Sequence, residues 1–193
     1  MKVAALTGQA CGAALSDVAH LRLQVFRDWP YLYDGDLDYE QSYLRPYAES
    51  GRAIIVGARF EGNLVGAATG APLVEHAAEF GQAFAHADLD LGTVFYCAES
   101  VLLPEFRGQG IGHQFFDQRE AHARKLGFEH VCFCSVVRAK THPARPRNYR
   151  PLDDFWRGRG YAPMDNVVAQ FAWTDLGEDC ETTKPMQFWI RAL

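Results

Sequence analysis

No apolar run in the 193-residue chain approaches the ~20 residues that a membrane span requires. The opening Met1-Lys-Val-Ala-Ala-Leu-Thr-Gly8 is too short and too interrupted for a secretory signal. The five cysteines are odd in number and suggest no disulfide framework, so reduced thiols and a cytoplasmic location are expected. Cys132-Phe-Cys134 with scattered histidines matches no zinc spacing, and no metal is expected. There is no repeat, low-complexity tract or linker, and the length suits one domain over residues 1–193. Lysine and arginine are missing altogether between Phe60 and Phe106.

What is present is a globule's composition, 48% hydrophobic and 13% aromatic. The net charge of −5 and the lack of a recognisable module argue against nucleic acid as a partner. The charge is divided. Glu61, Glu75, Glu79, Asp88, Asp90, Glu99 and Glu105 occupy the stretch without cations, whereas seven cations fall between Arg138 and Arg159. Such runs usually form solvated faces; here they also suggest one side for a cationic amine and another for phosphates.

The chain is organised around Val94 to Leu126. The run Val94-Phe-Tyr-Cys-Ala-Glu-Ser-Val-Leu-Leu103 reads as a buried strand. Arg107-Gly-Gln-Gly-Ile-Gly112 then allows a tight turn that aims several N–H groups at one point. Ile111, Phe115, Phe116 and Leu126 follow at helical spacing, with Gly127 as the stop. Strand, glycine turn and helix N-terminus make an anion site, and Arg107 adds charge. The Gly-Lys-Ser/Thr ending of a Walker loop is absent. The G-x-G-x-x-G dinucleotide spacing is absent too.

Arg107-Gly-Gln-Gly-Ile-Gly112, with Val101-Leu-Leu-Pro-Glu-Phe before it, resembles the R/Q-x-x-G-x-G/A signature of the GNAT-type N-acetyltransferases. The resemblance implies acetyl-coenzyme A as co-substrate, held by the backbone of Gly108, Gln109, Gly110, Ile111 and Gly112. It implies that Val101, Leu102 and Leu103 pair with the pantetheine arm like an added strand. An N–H of Val101 or Leu102 would then serve the oxyanion. The helix–loop–helix from Leu21 through Tyr43 is similar to the family's first two helices, whose connecting loop borders the acceptor, here with Tyr31 and Tyr33.

The remaining elements are read in order. Lys2 to Leu6 is a short edge strand, Ser16-Asp17 starts a helix, and Leu37 to Ser50 is helical with Pro46 as a potential kink. Arg52–Phe60 and Leu64–Leu73 form a hairpin on Glu61-Gly-Asn63. Glu75 to Ala87 reads as a glycine-broken helix. His130–Val137 is a strand, 139–152 a long basic loop, and Asp153–Arg159 a short helix. Strands at Val167–Trp173 and Met186–Ile190 complete the chain. This order gives a mixed α/β layer protein with a right-handed parallel strand–helix–strand unit. The resemblance sharpens it to a mostly antiparallel sheet with a splayed parallel pair and helices on both faces.

Acyl transfer to an amine needs a base. Glu99 is the only carboxylate in the central strand. Alternation puts it with Phe95, Cys97 and Val101, unless a bulge shifts the register; apolar neighbours would raise its pKa. The alternative for Glu99 is a structural carboxylate bonded to a neighbouring loop. For the leaving thiolate, the family often uses a tyrosine in the pattern that Phe155-Trp156-Arg-Gly-Arg-Gly160-Tyr161 resembles. Trp156 fills that slot; indole donates a hydrogen bond but gives up no proton readily, so Trp156 is a coenzyme contact and Tyr149 the substitute acid. Solvent is a further proton source. The expected acceptor is a small primary amine, drawn also by Asp34, Asp36, Asp38 and Glu40. No membrane partner is expected, and a homodimer is an allowed assembly. A longer acyl-coenzyme A, or a non-catalytic coenzyme-binding sensor, are the alternatives.

Overall fold

The computed structural model describes residues 1–193. Its strands are β1 (Lys2–Leu6), β2 (Ile54–Phe60), β3 (Asn63–Pro72), β4 (Val94–Tyr96), β5 (Ser100–Leu102), β6 (His130–Val136), β7 (Ala162–Thr174) and β8 (Glu181–Ala192). The helices are α1 (Gln9–Phe26), α2 (Leu37–Glu49), α3 (Ala77–Phe80), α4 (Ile111–Lys125) and α5 (Asp153–Gly158). The strands form one sheet in the order β1-β2-β3-β4-β6-β8-β7, with β5 also on β3. Only β4 and β6 run parallel, and α4 connects them. No helix is long and apolar enough to cross a membrane.

Helices cover both faces. On one, α1 and α2 bury Val18, Leu21, Leu44 and Tyr47 against Ile55 and Val101. On the other, Ile111, Phe115 and Phe116 of α4 meet Ile54, Phe95 and Phe133, with Phe155 and Trp156 of α5 packed beside them. A third cluster sets Leu73, Phe80 and Phe84 on Tyr96, Cys132, Cys134 and Phe188. The consecutive apolar residues of β2 are buried because both faces are covered.

Several boundaries differ from the sequence reading. Helix α1 begins at Gln9 rather than at Ser16, because alanine-rich residues 10–15 extend it and Ser16 and Asp17 sit on its exposed side. Pro46 lies within α2 without dividing it. The helix expected over Glu75–Ala87 is a 3-10 turn at Leu73–His76 followed by one α-turn, since Gly81 ends it. The central strand is not continuous: it divides into β4 and β5, and that break shapes the site.

Candidate active site

The glycine run between β5 and α4 adopts the backbone its composition permits. Gly108 and Gly110 have φ of 75° and 78°, and Gly110 is the left-handed residue immediately before α4. Arg107 N–H donates to Pro104 C=O at 3.1 Å, and the next amide with a backbone acceptor in the chain is that of Gln114, on Gly110 C=O at 3.3 Å. The N–H groups from Gly108 to His113 are therefore free of intramolecular partners, at the positive end of a 15-residue helix. Side chains added at Gly108 or Gly110 would meet open space, whereas one at Gly112 would come within 3.5 Å of Phe155. Such a cradle suits a phosphate group. Arg107 lies beside it but spends its Nε on Leu102 C=O at 3.1 Å.

The opening for an extended ligand comes from a shift in register. Tyr96 opposes Ala71, but Val101 opposes Ala67, so one extra residue sits between β4 and β5. Cys97 N–H still reaches Cys132 C=O at 2.8 Å; beyond it β5 pairs only with β3, and β6 only with β8. Thr69 N–H donates to Glu99 C=O and Leu103 N–H to Val65 C=O. Alternation between those two bonds turns the Val101 amide toward β3 and the Leu102 amide toward the opening. Of the two expected oxyanion donors, only Leu102 faces where a ligand can enter.

Arg119, fully buried on α4, braces this bulge. Its guanidinium donates to the carbonyls of Thr69 and Glu99, each at 3.1 Å, and to Ser100 Oγ at 2.9 Å. The sequence offered no sign of this, because an arginine at that spacing on a polar-looking helix reads as solvated. Arg119→Met should cost about 3 kcal/mol by removing buried charge-assisted bonds to Ser100 Oγ and to two carbonyls that would keep only their backbone donors. Urea unfolding measures it, and a loss below ~1 kcal/mol would mean that the bulge holds itself.

The same shift corrects the surroundings expected for Glu99. Phe95 and Cys97 face α4, but Glu99 and Val101 face α1 and α2. Glu99 is not set among apolar side chains: its Oε2 pairs with Arg22 of α1 at 2.8 Å. Arg22 also bonds through Nε to Glu40 of α2, which is fully buried, and lies 4.4 Å over the Tyr43 ring. Burial alone would lower the Arg22 pKa, but Glu99, then Tyr43 and Glu40, raise it and keep the guanidinium charged. Glu99 Oε1 and Glu40 Oε1 remain buried without partners. The acidic run thought to draw the acceptor is largely spent on structure. Asp34 pairs with Arg27 at 3.1 Å, Asp36 caps α2 by accepting from Tyr39 N–H at 2.9 Å, and Glu40 holds Arg22.

Tyr31 and Tyr33 stand in the α1–α2 loop beside this cluster. Burial, then Cys134 and Glu99, pushes the Tyr31 phenol up; burial, then Glu40, does the same for Tyr33, so both are protonated donors. Arg138, read as part of a solvated basic loop, instead clamps this segment. It donates to the Pro30 and Tyr31 carbonyls at 2.9 and 2.7 Å and grips Asp175 with bonds of 2.6 and 2.8 Å. Lys184 adds a contact to Asp175 at 3.1 Å. Burial opposes ionisation of Asp175, but bonds from Arg138 and Lys184 win and lower its pKa. A lowered folded-state pKa means that the clamp's contribution is complete above the ordinary value of 3.8 and is lost as pH falls through the depressed one. Asp175→Asn should remove about 2–3 kcal/mol at neutral pH and much less in strong acid, as unfolding at several pH values would measure. An equal loss at every pH would count against the clamp.

Tyr149 sits in the 139–152 loop, edge-on to Trp29 at 5.9 Å, with Arg145 stacked 5.2 Å from its ring. Burial, then Asp153, raises its pKa. Trp156 is wedged between Phe133 at 5.0 Å and Trp189 at 5.1 Å, as a wall of the α4-side cluster. Cys97 and Cys134 are pushed by burial to about 11 and about 12, which leaves both thiols poor nucleophiles. No group of three or more His, Cys, Asp or Glu is placed to hold a metal.

The chain as a whole is similar to known proteins. The model of the Acetyltransferase (GNAT) family covers residues 21–147, and the chain belongs to that family of acyltransferases. No curated protein matches it. Among solved structures, the ribosomal-protein-alanine N-acetyltransferase of Brucella melitensis shares 14% identity at a TM-score of 0.62, with 100% of both chains covered. A Sinorhizobium meliloti phosphinothricin acetyltransferase in complex with acetyl-CoA shares 16% at 0.60, covering 100% of this chain and 89% of its own. The Drosophila melanogaster polyamine N-acetyltransferase shares 12% at 0.60, with both chains covered fully. At these identities the likeness is one of fold: a mixed, mostly antiparallel sheet with a single parallel pair.

Proposed function

We propose that this protein transfers an acetyl group from acetyl-coenzyme A to a primary amine of a small molecule, by direct attack in a ternary complex in the cytoplasm. The observation that carries the reading is the run of partnerless amides from Gly108 to His113, directly behind a strand that has parted from its parallel neighbour. The amides of Gln109, Gly110, Ile111 and Gly112 would hold the diphosphate, with Gly108 in the turn and Arg107 beside them. Of Val101 to Leu103, only Leu102 turns its backbone away from β3, so pairing with the pantetheine amides would centre on Leu102, and Trp156 would wall that channel. When bound, the coenzyme supplies an activated thioester.

The chain's own groups supply the rest. The Leu102 N–H is the oxyanion donor. Glu99, its Oε2 fixed by Arg22, offers the free Oε1 to the ammonium proton. Tyr149 protonates the departing sulfur, and Tyr31 and Tyr33 border the acceptor. Five free thiols, four of them buried, agree with a reducing compartment. The test is acetyl transfer to polyamines, aminoglycosides, amino acids and lysine peptides, read as coenzyme release. Small basic amines should be the best acceptors. Preference for acidic acceptors, or no turnover of any amine, would overturn the assignment.

A further inference from the structure

A pocket opens between α2 and the turn that leads into α3. Glu75 and Glu79 stand at its exposed rim; Tyr43, Tyr47 and His76 line its interior. No lysine or arginine lines it, although Arg52 reaches Glu75 from outside at 2.9 Å. Two of the buried groups are without partners. His76 is 6% exposed and neither ring nitrogen is hydrogen-bonded; Tyr47 is 1% exposed and its hydroxyl has only the Thr69 hydroxyl beside it, which likewise lacks a well-formed bond. The closest charge to His76 is Glu79, 3.5 Å from Nδ1. Buried polar groups left idle cost stability, so their retention on a pocket wall points to a ligand. Burial pushes the Tyr43 and Tyr47 phenols up, so both stay neutral and the carboxylates carry the pocket's charge.

We infer that this pocket takes a second ammonium group of the acceptor, so that the preferred acceptor is a small diamine. Its volume of about 50 Å³ is that of a few waters, each needing roughly 10–15 Å³, which admits an ammonium and its first methylenes but no ring. Glu79 supplies the opposing charge, a His76 ring nitrogen and the Tyr47 oxygen offer acceptors for N–H bonds, and the aromatic faces suit a cation. Tyr43 is the shared wall: it lines the pocket and underlies Arg22, the partner of Glu99. One amine can then rest at the pocket while the other reaches Glu99. The identity of the reacting amine rests on the acetyltransferase reading; the pocket's preference for a cation does not.

The test is calorimetric titration of the full chain, saturated with coenzyme A, by α,ω-diamines of four to eight carbons and by n-alkylamines of the same lengths. The best diamine should bind at least about tenfold tighter than its monoamine, a difference typical of one charge-assisted hydrogen bond. Glu79→Gln should bring that ratio near one. Tyr47→Phe should reduce it severalfold with little change in the melting temperature. Equal affinity for both amine types, absence of binding, or an undiminished ratio in Glu79→Gln would overturn the inference. A Glu79-dependent diamine preference without acetylation of any amine would sink the enzymatic reading and leave the pocket standing. Acetylation without a diamine preference would do the reverse.

Discussion

Replacing Gly110 by valine should weaken acetyl-coenzyme A binding on the order of a hundredfold while lowering the melting temperature by only a few degrees. Gly110 holds φ at 78° immediately before α4, and a side chain there would meet no atom within 4 Å. The folding cost is thus mainly the left-handed backbone, about 1–2 kcal/mol, or a few degrees in a chain of this size. Valine shifts the backbone away from that conformation and turns the amides of Gly110, Ile111 and Gly112 off their common point. Losing two hydrogen bonds to a charged group costs about 1.5–3 kcal/mol each, far more than the stability term. Calorimetry and thermal unfolding on one sample separate the two. An affinity that falls no further than stability would mean that the loop does not hold the coenzyme.

The second large effect is expected for Glu99→Gln: a fall in kcat on the order of 10²–10³ and loss of the acidic limb of the pH–rate profile. A general base works only when unprotonated, so the wild-type rate declines as pH drops, and an amide has no such limb. Glutamine keeps the shape, and Glu40 still pairs with Arg22, so the fold should survive. Glu40→Gln is the control. It removes a fully buried carboxylate from the same guanidinium yet leaves Glu99 in place, so it should cost stability and spare the limb. If both variants lose stability and neither alters the profile, Glu99 is only a structural partner of Arg22.

The sequence was most legible where one stretch of chain carries its own signal. The glycines at 108, 110 and 112, the hairpin turn at Glu61-Gly62 and the strand from His130 are local features, and the structure has each in place. The break between β4 and β5 was not legible in that way. One extra residue reverses every side chain after Cys97, and no periodicity argument fixes which residue is extra. The Arg22–Glu40–Glu99 cluster joins segments distant in sequence; Arg22 and Glu40 alone read as surface charge, and nothing local marks them as partners of Glu99. Arg138 was hidden likewise among the cations of its loop, though it is tied to Asp175. The lysine-free stretch did hold a signal: Glu75 and Glu79 lie there, but the partners that make them a pocket, Tyr43 and Tyr47, come from α2.

The central claim is that the free amides before and at the start of α4 hold the diphosphate of coenzyme A. Backbone amide chemical shifts recorded while coenzyme A is titrated into the isotope-labelled protein address it most directly. The account predicts that Gln109, Gly110, Ile111 and Gly112 move first and furthest, saturating together with Leu102. Saturable binding that leaves those amides unmoved, or no binding at all, would contradict it.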